Sequence, residues 1–171
     1  MTIAAASPGL PVPARDRLAR VLVAGLAGGA VDFVYPIVMA LSKGRAWDMP
    51  WRSVASGWIG KAARDAAWAP ALGILTHFCI ATAMAATYAL AARRFPVLYR
   101  LWWAAAPVYG LILYGIMYRV VLPLRWAGAG AWDGMPSVLD VGAHVGVAYA
   151  IAFVLSRSAP IGAPVGAGAA R

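Results

Sequence analysis

Hydrophobic positions in this chain fall into four long runs, at 21–41, 70–92, 101–124 and 136–155, separated by segments that hold most of the charge. Each run has roughly 20 or more residues, enough for one helix to cross a bilayer. The expected fold is therefore all-α: a polytopic membrane protein with four transmembrane helices. The segment between the first two runs has another rhythm. Lys43, Arg45, Asp48, Arg52, Lys61, Arg64 and Asp65 are scattered through it and prevent it from spanning. At about 100° per residue, Trp51, Val54, Ala55, Trp58, Ile59, Ala62 and Ala66 share one arc, opposite Arg52, Ser53, Ser56, Lys61 and Arg64. This pattern predicts an amphipathic helix over about 51–67, lying either in the membrane interface or as a cap on the bundle. Trp51, Trp58, Trp102, Trp103, Trp126 and Trp132 all stand near the ends of apolar runs, where indoles favour the headgroup level.

The ends of the chain are different again. Residues 1–14 and 158–171 are rich in Ala, Pro and Gly without periodicity and are expected to be disordered tails around one domain over 15–157. Small residues recur within the spans. Gly25 with Gly29, and Gly142 with Gly146, offer faces that neighbouring helices can approach closely.

Composition agrees with the membrane reading: 63% of the residues are hydrophobic and the mean hydropathy is +0.72. The formal charge of +9, from 15 Lys and Arg against 6 acids, lies mostly beside the spans. It reads as a topology signal and as phospholipid contact, with no nucleic-acid partner. The lone Cys79 excludes an intrachain disulfide framework and paired-cysteine zinc patterns, and is expected to be a buried small residue. Neither a G-x-S-x-G elbow nor a Gly-rich phosphate loop occurs, so the sequence gives no support to enzyme chemistry. Arg15, Arg17, Arg20, Arg93, Arg94, Arg100, Arg157 and Arg171 fall on one side of the membrane; Lys43, Arg45, Arg52, Lys61, Arg64 and Arg125 fall on the other. The bias places both termini in the cytoplasm. Five basic residues of the amphipathic segment run against that bias.

Several stretches resemble the YagU-like group of small bacterial inner-membrane proteins. These are SVASGWIGK from Ser53, GILTHF from Gly73, AARRFP from Ala91, YGIM from Tyr114 and VVLPL from Val120, with a histidine in the last span. The similarity covers roughly residues 21–157. It implies a multi-pass protein of the bacterial inner membrane, of unestablished activity and with a loose association with acid tolerance. It brings no catalytic residues. Arg119 departs from the neutral polar residue expected before VVLPL.

The chemistry that the spans carry is sparse and placed at one level. At 1.5 Å per helical residue, His77 lies roughly 10 Å below the outer surface, His144 roughly 12 Å and Asp32 roughly 13 Å, with Asp140 and Arg119 at roughly 6 to 8 Å. A charge at mid-membrane costs about 2.5 to 3.5 kcal/mol on insertion scales and is normally paired or hydrated. Asp32 is therefore expected to pair with a histidine, and Arg119 with Asp140. Such a cluster can serve as structural glue. It can also be a proton relay or ion site, a divalent-metal site through His77, His144 and Asp32, or a haem b site with His77 and His144 as axial ligands. The spectrum of partners runs from the lipid bilayer alone to other membrane subunits or a second copy, the cluster being purely structural in an accessory subunit.

Overall fold

The computed structural model describes residues 14–157. Those residues form helices and turns with no strand. Four helices are long and apolar enough to cross a membrane: Ala14–Ser42, Ala69–Arg94, Trp102–Arg125 and Met135–Arg157, here the first to fourth spans. The chain is an all-α polytopic bundle. The first span packs against the second and the fourth, and the fourth against the third, so that the helices follow the spatial order second, first, fourth, third. The expected tails lie outside the described residues except for Ala14, which begins the first helix together with the basic collar Arg15, Arg17 and Arg20.

Packing depends on very small side chains. Ala24, Ala85, Ala92, Ala106, Ala148 and Ala152 are completely buried around Tyr88, Ile151 and Leu155, while large apolar residues such as Leu26, Leu75, Leu111 and Ile112 face outward. Lipid is as apolar as leucine, so association is driven by close backbone approach and not by hiding large side chains. Gly25 follows this rule: a Cβ there would overlap Thr82 of the second span. Gly29 likewise leaves room for Phe78, and Gly110 for the backbone at Val145. Gly146 packs beside Val31, but Gly142 faces open space, so the expected Gly142–Gly146 pair does not act as a unit.

The amphipathic helix is shorter than its pattern predicts. It runs over Met49–Ile59 and gives way to a 3-10 turn over Gly60–Arg64. Gly60 breaks it with a left-handed φ of 60° that glycine adopts without steric penalty. Arg52 then fastens the turn: Nε donates to Asp48 Oδ2 at 2.9 Å, and Nη1 donates to the carbonyls of Ala63, Arg64 and Ala66 at 3.3, 3.1 and 2.9 Å. The break shifts the register of the apolar arc, so Ala63 is buried beneath the turn where Ala62 was expected.

The third span carries the other irregularity. Its backbone is α-helical over Trp102–Ile116, widens to a π turn over Met117–Val121, and resumes over Leu122–Arg125. In the wide turn the Leu122 N–H reaches back to the Met117 carbonyl. Pro123 has no N–H to offer the Arg119 carbonyl, which favours a local departure from the α pattern.

Candidate functional site

One cavity of about 670 Å³ lies between the second and third spans, at the end covered by the amphipathic helix. Thr76, His77, Ile80 and Met84 form one wall and Met117, Tyr118, Val121 and Leu122 the other. Gly29 and Asp32 of the first span and His144 and Val147 of the fourth form its floor, while Val54, Gly57, Trp58 and Trp126 cover it. At the opposite end the two walls are joined: Tyr109 OH donates to the Met84 carbonyl at 2.7 Å and lies 2.6 Å from Thr87 Oγ1. The cavity is mostly apolar, and its polar groups collect on the floor.

Each histidine is fixed by a backbone carbonyl. His77 Nε2–H donates to the Gly29 carbonyl at 2.9 Å, and because a carbonyl can only accept, Nε2 carries the proton. The neutral ring then has its lone pair on Nδ1. Phe33, Trp51 and Phe78 hold the His77 ring at centroid distances of 6.2, 5.2 and 5.2 Å. His144 Nδ1–H donates to the Asp140 carbonyl at 2.8 Å, one turn earlier in the same helix, which leaves the lone pair on Nε2. Tyr114 and Tyr118 stand edge-on to this ring at 5.8 and 5.9 Å. Asp32 lies within Coulombic reach of both histidines and of Asp140.

Asp32, His77 and His144 therefore converge on one cavity, whereas the other two expected members do not. The Asp140 carboxylate accepts from Tyr35 OH at 3.0 Å and lines a neighbouring recess with Tyr35, Lys43 and Arg45. Tyr118 also lies close to that carboxylate. The expected Arg119–Asp140 pair is absent from the ion pairs of the described residues, and Arg119 is exposed. Within the π turn Tyr118 faces the cavity, while Arg119 lies on the outer face, where a long side chain can reach headgroups. Nor do any three His, Cys or Asp side chains among the described residues form a group able to hold a metal ion, so the expected His77–His144–Asp32 metal set does not assemble. A haem held by both histidines would have to use Nδ1 of His77, because its Nε2 is engaged.

The tryptophans divide. Trp51 was expected at the membrane interface, yet it is 1% exposed, stacked on Phe33 at 4.5 Å, with its backbone against Gly73. Trp58, by contrast, is 68% exposed while its Nε1–H donates to Thr76 Oγ1 at 3.0 Å. The amphipathic helix thus caps the bundle with one indole and presents the other outward. Trp103 and Trp132 are exposed. Trp102 is partly buried against Tyr149 and Phe153, and Trp126 is partly buried with Nε1–H donating to Ser56 Oγ at 3.2 Å. Cys79, expected to be buried, is exposed. It stands about 200° round the helix from His77, so a ring that faces the bundle turns the thiol away from it.

Sequence reasoning overlooked Tyr35 and the part that Arg52 plays in fastening the turn. Tyr35 follows Asp32 by three residues, a spacing that shares a helix face, and Asp48 precedes Arg52 by four, the spacing of a helical ion pair. Compared with family models, curated proteins and solved structures, the chain matches none. The YagU-like resemblance accordingly rests on the quoted residues alone.

Proposed function

We propose that this protein handles protons at a site made by Asp32, His77 and His144. The observation that carries the reading is that three titratable side chains from three spans face one cavity, each histidine pinned by a carbonyl with its second nitrogen free to accept a proton. Tyr35 and Asp140 continue the polar line toward the recess that contains Lys43 and Arg45. Beyond the cavity the bundle closes on its alanine core, so the reading is of a carrier site that opens to one face at a time and not of an open pore. It includes a location in a bacterial inner membrane with both termini cytoplasmic, supported by the arginines beside the terminal and second-loop segments.

Proteoliposomes with an internal pH dye provide the test. Asp32→Asn should slow proton uptake at least about tenfold relative to the parent protein, with Arg119→Gln unaffected. Equal rates in the parent, Asp32→Asn and empty vesicles would refute the reading. Both histidines line the same cavity, which keeps haem ligation as a second reading. A Soret band in the purified protein, lost in His144→Ala, would establish it. The accessory-subunit alternative gains less support, because Gly25 and Gly29 are already occupied by the second span.

A further inference from the structure

The topology bias leaves the basic residues of the amphipathic segment without an explanation, and the fold gathers three of them. Behind the amphipathic helix lies a second pocket, of about 470 Å³, to which Arg52, Lys61, Arg64 and Arg125 contribute with Ser53 and Ser56, and no acidic residue lines it. Arg52 is committed to Asp48 and to three carbonyls of the turn. Lys61, Arg64 and Arg125 take part in none of the ion pairs among the described residues. The turn that presents Lys61 and Arg64 is held by the left-handed Gly60 and by Arg52 itself, so it is a built feature and not a loose run of charge.

This basic pocket adjoins the apolar cavity. Arg125 and Trp126 line both. Gly57 lies beside the Trp126 ring, and the indole bond to Ser56 fixes that corner. A cationic pocket at the mouth of an apolar cavity matches a molecule with an anionic head and a hydrocarbon tail. We propose that the two spaces together bind one lipid phosphate monoester, with its phosphate held by Lys61, Arg64 and Arg125 and an acyl chain along Ile80, Met84 and Met117. A phosphate monoester carries about −1.5 to −2 charges near neutrality, and charge-assisted bonds from Lys and Arg complement it. The source could be a free phosphate instead, but then the apolar cavity would contribute nothing.

The test is native mass spectrometry of the purified full chain with dioleoyl phosphatidic acid, dioleoylglycerol or inorganic phosphate. One phosphatidic acid per chain should be retained at least about tenfold more tightly than dioleoylglycerol, which has the same chains without the phosphate. The Lys61→Gln/Arg64→Gln variant, altered at exposed positions that leave the fold intact, should lose that preference. Ile80→Trp, which fills the cavity, should weaken phosphatidic acid and leave inorganic phosphate unchanged. Equal retention of dioleoylglycerol would overturn the proposal. Inorganic phosphate binding as tightly as the lipid, with no effect of Ile80→Trp, would also overturn it and leave a free-anion site.

Discussion

The two ends of this bundle solve the problem of packing helices in lipid in opposite ways. At the end with Tyr88, Ala92, Ala106 and Leu155, alanines at zero exposure bring the backbones together and tyrosines donate to carbonyls, as Tyr88 OH does to Leu98 at 2.9 Å. At the capped end the second and third spans part, and the space between them is roofed by an amphipathic helix and floored by Asp32, His77 and His144. The difference teaches that close packing here is local. A bundle with one tightly sealed end can leave the other end open enough for chemistry, because the sealed end supplies the helix register.

Substitutions that treat the two ends alike should expose the contrast. Ala148→Leu adds bulk where the parent residue has zero exposure and should destabilise the bundle by up to about 3 kcal/mol, since overpacked cores strain rotamers and backbone. Heating in detergent followed by size-exclusion chromatography would show the lower melting temperature. Ile80→Trp adds bulk to the cavity and should shift the same curve little, so an equal shift would mean that the cavity is not available space. The next effect in size concerns the roof. Arg52→Met removes the bonds that gather the carbonyls of Ala63, Arg64 and Ala66 and should cost about 2 kcal/mol, as the loss of hydrogen bonds from a charged group does. Hydrogen exchange localised to the Gly60–Arg64 turn would register it. The smallest change is Tyr35→Phe, which deprives the Asp140 carboxylate of one donor and should cost about 1 kcal/mol. No change in melting temperature would mean that Tyr118 or water replaces the lost bond.

How much of this was legible in the sequence follows the same division. The four spans were readable because hydropathy over some twenty residues overrides local detail, and their limits agree with the helices to within a few residues except at the first, which extends back through the basic collar to Ala14. The level of His77, His144 and Asp32 was readable from rise per residue alone, and the three do meet at one cavity. Orientation about the helix axis was not. Arg119 lies on the outer face and not against Asp140, in a stretch where a π turn rotates the chain locally, which a uniform 100° step does not anticipate. The amphipathic helix ended early for a similar reason: Gly60 allowed a left-handed residue, and Arg52 supplied the carbonyl partners that stabilise the turn. Trp51 was misplaced because an apolar arc fits lipid or protein alike, and the close approach of its backbone at Gly73 sets the ring against Phe33.

The roof is attached unequally to the two walls that it covers. Toward the second span its backbone lies so close that a Cβ at Gly73 would overlap the Trp51 carbonyl, and Trp58 adds a bond to Thr76. Toward the end of the third span the side-chain bond is that from Trp126 to Ser56. Parting the roof from the third span therefore breaks a hydrogen bond worth about 1 kcal/mol, whereas parting it from the second would undo a fit between two backbones. The cavity thus has a firmly attached side and a lightly attached side, and the indole of Trp126 carries the lighter attachment.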